Sequence, residues 1–572
     1  MQTPDWTRAA ALADLAPGKP HAVKLKGHLI ALFHEEGSLH AVDNRCPHMG
    51  FPMTKGTLKD GVLTCHWHQW QFEACSGGCL SPGSRGTDLA VYPVEARGDE
   101  VWVGLPSGPD PDAVRRHAAS LDRAVFEAST LRAAKAVYSL LAAGESPTAV
   151  CRTAALRALP LRNEFGGGPL VLAAAAATLE LAPLSVEDRT LALAHAVRTT
   201  ALEIRNTPPR RAEIPLPGTA SPDREKAWFR GFLEDREVSA AERLLVTALR
   251  RGDPPARVAD WIFSACTDHV FNNLGHSLDF ANKAFELAQR IGWEHAGAVL
   301  PSLLPLIANG TRHEEDMAWK RPEDLIALIR KGEAALPERD GKAGRWKGEA
   351  QLIERLLGED PAAALEALSG ALAAGAAYAE LSRALALAAS LRVARFHTLN
   401  EFGDWDTVHH AFTHAHALYR ALEAFPSRDL ARGLFHAAGY LYLARYLNVP
   451  RVKLPHEAGQ ALKGDLEQAL ERREAEAAAA TVHGLLKGNP SGESVLAALA
   501  RAAYREDLDF HTHQHLEAAC RLFRSLQGHP LQYVPLAGLA RWLSTHGPTP
   551  RAVRQTVANA IKLQKGEALH EE

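Results

Sequence analysis

Over residues 1–106 the apolar positions fall in short runs rich in Val, Leu and aromatic residues. The runs HAVKLKG, HLIALFHE, LHAVDN and GVLTCHW are parted by glycine-containing turns, a pattern that predicts β-strands. LAVYPVEA and EVWVGL flank ARGDE and predict a closing hairpin. PSGPDPD at 106–112 then interrupts the pattern with three prolines, which predicts a linker.

From residue 112 the apolar period changes to three and four residues, and Ala, Leu, Arg and Glu dominate. Both features predict helix. DPDAVRRHAASLDRAVFEAS opens with Asp and Pro, a favourable helix start. Proline- and glycine-rich interruptions at 207–222, 253–256, 448–457, 488–492 and 546–550 separate helical groups. No fixed-period repeat stands out, so a solenoid is not expected. The expected architecture is multi-domain: a small all-β domain over 1–106, then a large all-α, histidine-rich domain over 112–572 with a sub-boundary near 448–457.

Composition changes this picture little. The 572 residues are 46% hydrophobic and 23% charged, ordinary for a globular protein with a sizeable core. A formal net charge of −3 gives no reason to expect nucleic acid or an anionic membrane as partner. No apolar run is long enough to span a bilayer. The N-terminus, MQTPDWTRAAALADL, has an early acidic residue and no unbroken apolar stretch, so no secretory signal is expected and a cytoplasmic location is the default.

The cysteines carry more information. There are seven, and Cys46, Cys65, Cys75 and Cys79 fall close together while Cys151, Cys266 and Cys520 are scattered. That distribution suits one metal site plus isolated thiols better than a disulfide framework. CPHMG at 46–50 and CHWH at 65–68 together read Cys-x-His, sixteen intervening residues, Cys-x-x-His. Each half offers one thiolate and one imidazole from its own loop. A Rieske-type 2Fe–2S centre needs two thiolates on one iron and two imidazoles on the other. The main rival is a Cys₂His₂ zinc site, but a zinc finger groups its Cys pair and its His pair separately, with the histidines on a helix.

Residues 20–106 resemble Rieske domains of the ferredoxin and oxygenase type. The resemblance rests on both ligand loops, the lead-in HAVDNRCPH, the following QWQF and the closing YPVEARGDEVWVGL. It implies that Cys46, His48, Cys65 and His68 ligate a 2Fe–2S cluster, that the chain moves electrons singly, and that a redox partner, reductase or ferredoxin, supplies them. Gln69 is a departure, because the family more often has Gly after its second His ligand. Trp70 stands where high-potential respiratory members usually have a Ser, which implies the low-potential subgroup. Cys75 and Cys79 lie beyond the loops and do not match the disulfide of those members.

Twenty-seven histidines, many clustered, raise the question of a second site. In TDHVFNNLGHSLDFANKAFE (267–286) a continuous helix would place Val270, Phe271, Leu274, Leu278, Ala281 and Phe285 on one face. His269, Asn272, His276, Asp279, Lys283 and Glu286 would then line the other, a wet surface or, under a second helix, part of a site. In FHTLNEFGDWDTVHHAFTHAHALYRAL (396–422), helix from about 405 would gather Asp406, His409, His410, Thr413, His414 and His416 on a broad face. Asp406 and His409 have the carboxylate–His spacing found in di-metal bundles. In DLDFHTHQHLEAAC (507–520), His511 and His515 lie one turn apart and His513 points away. The charge run at 311–320 reads as a solvated helix end.

The strings HVFNNLGHSLDFANKAFE and DWDTVHHAFTHAHALYRAL are similar to histidine-bearing helical segments of questin oxidase-like proteins. That family is linked to Baeyer–Villiger-type oxygenation of polyketide quinones, although its pattern tends to have Gly-Tyr near Gly275–His276. The likeness implies an oxygenase-like class. The large antiparallel sheet that holds mononuclear iron in ordinary Rieske oxygenases is not expected in 112–572.

Two functions therefore stand open. In one, the cluster passes electrons to a histidine-lined site holding additional iron that oxidises a small organic substrate, monooxygenase-like. His269, His276, Asp279, Asp406, His409, His410, His414, His511 and His515 are its candidate residues. In the other, the chain is a Rieske electron carrier whose helices dock partner proteins and whose histidines scatter over the surface.

Overall fold

The computed structural model describes every residue except 1–3, 18, 82–87, 107–110, 219, 446–450, 460, 461, 463, 566 and 568–572, and leaves out the side chains of 111, 112 and 402. Most of the proline-rich linker and residues 448–450 of the expected sub-boundary thus lie outside the described residues.

The first part is a small antiparallel β structure followed by a large helical region. Its strands are β1 Asp5–Ala11, β2 His21–Leu25, β3 His28–Glu35, β4 Ser38–Asp43, β5 Thr57–Lys59, β6 Val62–Thr64, β7 Gln71–Glu73, β8 Val91–Tyr92, β9 Val94–Arg97 and β10 Glu100–Leu105. They form three sheets in the orders β1-β10-β9, β2-β3-β4-β8 and β5-β6-β7. The expected closing hairpin pairs Arg97 with Glu100 and Val94 with Val103.

Strand β3 explains why the domain holds together. Its residues alternate between faces, and both faces are covered. Ala31 and Phe33 pack with Val42, Met53, Leu63, Phe72, Cys46 and Cys65, while Ile30 and Leu32 pack with Ala41, Val101, Val103 and Leu105. One of the two cores therefore sits directly beneath the cysteines of the motif.

The helices that carry the argument are α1 Pro111–Glu127, α2 Thr130–Ala142, α3 Pro255–Cys266, α4 His276–Ile291, α5 Phe402–Ala424, α6 Phe510–Ser525, α7 Val534–His546 and α8 Ala552–Lys565. The chain divides into two compact units. One is Met1–Ala154, Val186–Ala201 and Ala552–Glu572; the other is Ala155–Ser185 and Leu202–Arg551. The β structure thus shares its unit with α1, α2 and α8, and Ala134 of α2 packs against Val553, Val557 and Ala560 of α8. Residues 451–457 fall inside the second unit.

One expected helix is corrected. Residues 267–286 are not continuous: α3 ends at Cys266, the backbone is left-handed at Phe271, Asn273, Leu274 and Gly275, and α4 begins only at His276. Gly275 is the reason the chain can turn so close to α5. Its φ is +85°, and a Cβ there would lie 2.8 Å from the His414 ring. The polar stripe His276, Asp279 and Lys283 on α4 faces inward, with Asp279 and Lys283 buried.

Candidate metal centres

The two motif loops have matching backbones. In the first, the Gly50 N–H donates to the Cys46 carbonyl at 2.7 Å and the Cys46 N–H to the Phe51 carbonyl at 2.8 Å. In the second, the Gln69 N–H donates to the Cys65 carbonyl at 3.0 Å and the Cys65 N–H to the Trp70 carbonyl at 2.8 Å. The residue four after each cysteine has a left-handed backbone: Gly50 at φ +82° and Gln69 at φ +59°. The glycine usual for the second position thus meets a real backbone requirement, which this chain satisfies with Gln. The lead-in is equally determined. The Asp43 carboxylate accepts from the Arg45 backbone N–H and guanidinium, and the Asn44 side chain accepts from Thr54 N–H at 2.9 Å.

These loops bring four donors to one tip. Cys46 and Cys65 are buried free thiols within hydrogen-bonding reach of each other. That bond lowers the Cys65 thiol and, with burial, raises Cys46. The His48 and His68 rings lie 4.8 Å apart, edge to face. Burial pushes His48 down to about 4, helped by Arg132, His68 and Lys135, so its imidazole is neutral near pH 7. The buried His48 Nδ1 has no hydrogen-bond partner. Two thiols and two imidazoles, one with an orphaned nitrogen aimed at no protein group, fit the mixed donor set of a Rieske 2Fe–2S cluster. Trp70 stacks on His48 at 4.3 Å and 6°, and Trp67 lies 56% exposed beside His68.

The second unit assembles another set. His276 at the start of α4, His410 on α5 and His511 on α6 place one nitrogen each within 4.8 Å of one another. His410 Nε2 and His276 Nε2 are 3.1 Å apart. Oxygen atoms lie near all three rings, but the buried His276 Nδ1 and Asp279 carboxylate oxygen have no hydrogen-bond partner. His276 Nδ1 is 3.9 Å from the Asp279 carboxylate and His511 Nδ1 is 3.6 Å from Asp509, while the His410 ring hydrogen-bonds the Asp406 carbonyl one turn back. Burial keeps His276 down at about 4 and His410 at about 3. Burial raises the Asp279 carboxyl well above its usual range. Despite its burial, Asp509 is held at about 2 by its bonds from His511 and Thr512.

The other candidates are placed around this group or away from it. His409 and His515 face each other Nδ1 to Nδ1 at 3.3 Å, and both stack near Trp542 of α7. The His409 and His511 ring centres are 4.9 Å apart, which puts this pair beside the three. His414 turns to the Gly275 carbonyl at 3.4 Å and the Phe271 ring. Asp406 contributes its carbonyl to His410. His269 lies apart, between Glu314 and Glu234 at 2.6 Å each, because the break at 271–275 removes it from α4. His313 of the charge run is buried and Glu314 pairs with His269, so this segment is not simply a solvated helix end.

The α2 cations Arg132 and Lys135 beside the first loop, and Asp509 behind His511, were not identified from sequence. Asp509 had a readable signal, a helix-capping Asp two residues before a histidine. Lys135 had none.

The opposed Cys/His loops on a small β structure define an iron–sulfur electron carrier. The chain belongs to the Rieske 2Fe–2S domain family, whose match covers residues 5–93. It is similar to the ferredoxin component of naphthalene 1,2-dioxygenase/salicylate 5-hydroxylase systems from Ralstonia sp, at 37% identity over 104 residues, 18% of this chain and 98% of that protein. The ferredoxin component of a naphthalene 1,2-dioxygenase system from Pseudomonas aeruginosa is 33% identical over 104 residues, 18% of this chain and 98% of that protein. The 4beta-methylsterol monooxygenase of Methylococcus capsulatus is 36% identical over 105 residues, 17% of this chain and 28% of that protein. Among the described residues no helix is long and apolar enough to cross a membrane.

Proposed function

We propose that this protein is a Rieske-dependent oxidoreductase in which the N-terminal module supplies single electrons to a metal-dependent, oxygenase-like site in the second unit. The observation that carries this reading is the convergence of His276, His410 and His511 from three different helices, one nitrogen of each lying within 4.8 Å of the others. Asp509, which accepts from His511, orients that imidazole and raises its basicity toward a metal. Three neutral imidazoles suit first-row transition metals. Iron is the choice that matches one-electron supply.

In the first unit, Cys46 and Cys65 supply thiolates and His48 and His68 supply imidazoles to the cluster, which when bound stores one electron. Trp70 holds the His48 ring by stacking, and the two matched backbone loops keep the cysteine sulfurs buried. In the second unit, Asp509 orients His511, and Asp279 lies 3.9 Å from His276 Nδ1 without a hydrogen bond to it. His409, His515 and Trp542 wall the site on one side, and the buried Asp279 is placed to hold a proton beside the His276 ring.

The relatives named as ferredoxin components support an external reductase as the electron source. The likeness of the histidine-bearing segments to questin oxidase-like proteins supports oxidation of a small organic molecule. Metal analysis with electron paramagnetic resonance tests the reading. Wild-type protein is expected to hold iron beyond that of the cluster, and His276→Ala/His410→Ala is expected to lose that excess while keeping the Rieske signal. Iron confined to the cluster would instead leave the chain a Rieske carrier with a helical docking module.

A further inference from the structure

The cluster loops are not free-standing in this chain. Helices α2 and α8 come up against the first loop, where a Cβ added to Gly50 would lie 3.2 Å from Leu563 and 3.3 Å from the Lys135 ammonium. Arg45, next to Cys46, donates to the carbonyl of Gln564 on α8. A side chain at position 50 would crowd Lys135 Nζ.

The ammonium has no bonded counter-charge among the described residues. Lys135 is 6% exposed, and it makes no hydrogen bond or ion pair among the described residues. Asp43, the carboxylate in its surroundings, is held by Arg45 through two bonds, at 2.8 and 2.6 Å. Arg132, three residues earlier and 4% exposed, has Glu127 at 3.3 Å for company. The charges that bear on Lys135 are Cys46 and Asp43 in its favour and Arg132 and Arg45 against it. A buried cation without a counter-charge is strongly destabilising, so a fold that keeps one must gain from it elsewhere.

The gain available here is electrostatic and depends on oxidation state. Taking up one electron adds one negative charge to the group ligated by Cys46. A fixed positive charge beside it, in a weakly screening interior, favours that state. We propose that Lys135, delivered by the fused helical segment, raises the reduction potential of the Rieske centre and makes it a more willing electron acceptor. Lys135 is a positioning residue for charge; it ligates nothing. The inference rests on the cluster assignment made above.

The test is a dye-mediated titration of the full-length protein, in Lys135→Met, Lys135→Gln and Lys135→Arg variants, reduced with dithionite. It is run at about pH 6, below the value of about 8 to which burial lowers this lysine. At a fixed potential the ratio of reduced to oxidised cluster should fall about tenfold in the Met variant, a shift of about 59 mV for one electron, and the Arg variant should stay near wild type. Lys135→Gln gives a second neutral side chain should the Met variant fail to fold. Unchanged ratios in the neutral variants would overturn the proposal. Equal shifts in the Arg and neutral variants would also overturn it, because they would show packing at work and not charge. Iron and acid-labile sulfide measured on the same samples keep the two readings apart. Wild-type protein lacking both would remove the cluster itself, whereas a full cluster with an unmoved potential removes only the role of Lys135.

Discussion

His410 and His276 meet Nε2 to Nε2 at 3.1 Å, although 134 residues separate them in the chain. The His410 ring hydrogen-bonds the Asp406 carbonyl and His276 Nδ1 has no hydrogen-bond partner, so in the tautomer that carries the His276 proton on Nδ1 both Nε2 atoms present lone pairs to the same point. Nitrogens bound to one ion at about 2.1 Å lie about 3–3.4 Å apart, so the pair is already spaced as ligands. In that tautomer an ion between them would relieve the repulsion of the two lone pairs.

Behind the third ring, Asp509 is the informative position. Asp509→Asn keeps the shape but weakens the acceptor behind His511. It is expected to lower metal affinity about 10–100-fold and to leave the Rieske spectrum untouched. Competition with a chelator of known affinity would measure it, and unchanged affinity would disconnect Asp509 from the site.

The strained loop makes a separate prediction. Gln69 sits at φ +59° with its backbone N–H tied to Cys65. Left-handed backbone costs a non-glycine residue about 1–2 kcal/mol, partly offset by the greater freedom of an unfolded glycine. Gln69→Gly is therefore expected to stabilise the unit that holds the cluster by about 0.5–1 kcal/mol. The check is the denaturant midpoint of the Rieske absorbance, and a lowered midpoint would refute the account of strain.

The second unit contains a buried ion network next to the histidines. Lys283, 1% exposed, bonds Glu517 at 2.8 Å and Glu286 at 3.0 Å, and Glu517 is fully buried. Lys283→Met leaves the buried Glu517 and the half-buried Glu286 sharing Arg521, so a loss of about 3–5 kcal/mol is expected. Urea unfolding followed by far-ultraviolet circular dichroism would show it, and a near-neutral effect would mean that the carboxylates find another partner.

His269 gives the clearest pH signature. Its bond to Glu314 raises its pKa, outweighing partial burial, and Glu234 adds to the effect. A group whose folded value is raised contributes its full stability below its unfolded value, about 6.5, and loses it as pH climbs through the folded one. Glu314, held below its usual range despite burial, sets the acid limit of that window. The advantage of wild type over His269→Gln in melting temperature is thus expected to be larger at about pH 6 than at about pH 9. A difference independent of pH would show that the imidazolium charge plays no part.

Much of the first unit was legible because its information is local. Cys46 with His48, and Cys65 with His68, are neighbours in the chain, and strand alternation with the hairpin turn at 98 places their loops on one small β structure. Strand β1 is harder to read, since DWTRAAA has little β character and is a strand because β10 offers it a partner. The same limit explains the misread helix at 267–286. A helical wheel assumes the helix it projects, and the left-handed turn at 271–275 is stabilised by contacts with distant residues, Asn272 to the Ile307 carbonyl among them.

By itself the sequence determined the donor set of the iron–sulfur module, the change from β to helix, and which stretches are rich in histidine. Only tertiary packing decided which histidines meet. Side-chain spacing along one helix says which face a residue takes, but not whether that face meets solvent or another helix. In this chain α4, α5 and α6 turn polar faces toward one another, so His276, His410 and His511 converge while His269 and His414 find other partners. The same holds for Lys135, an unremarkable residue in a helical run until the fold sets its charge beside Cys46.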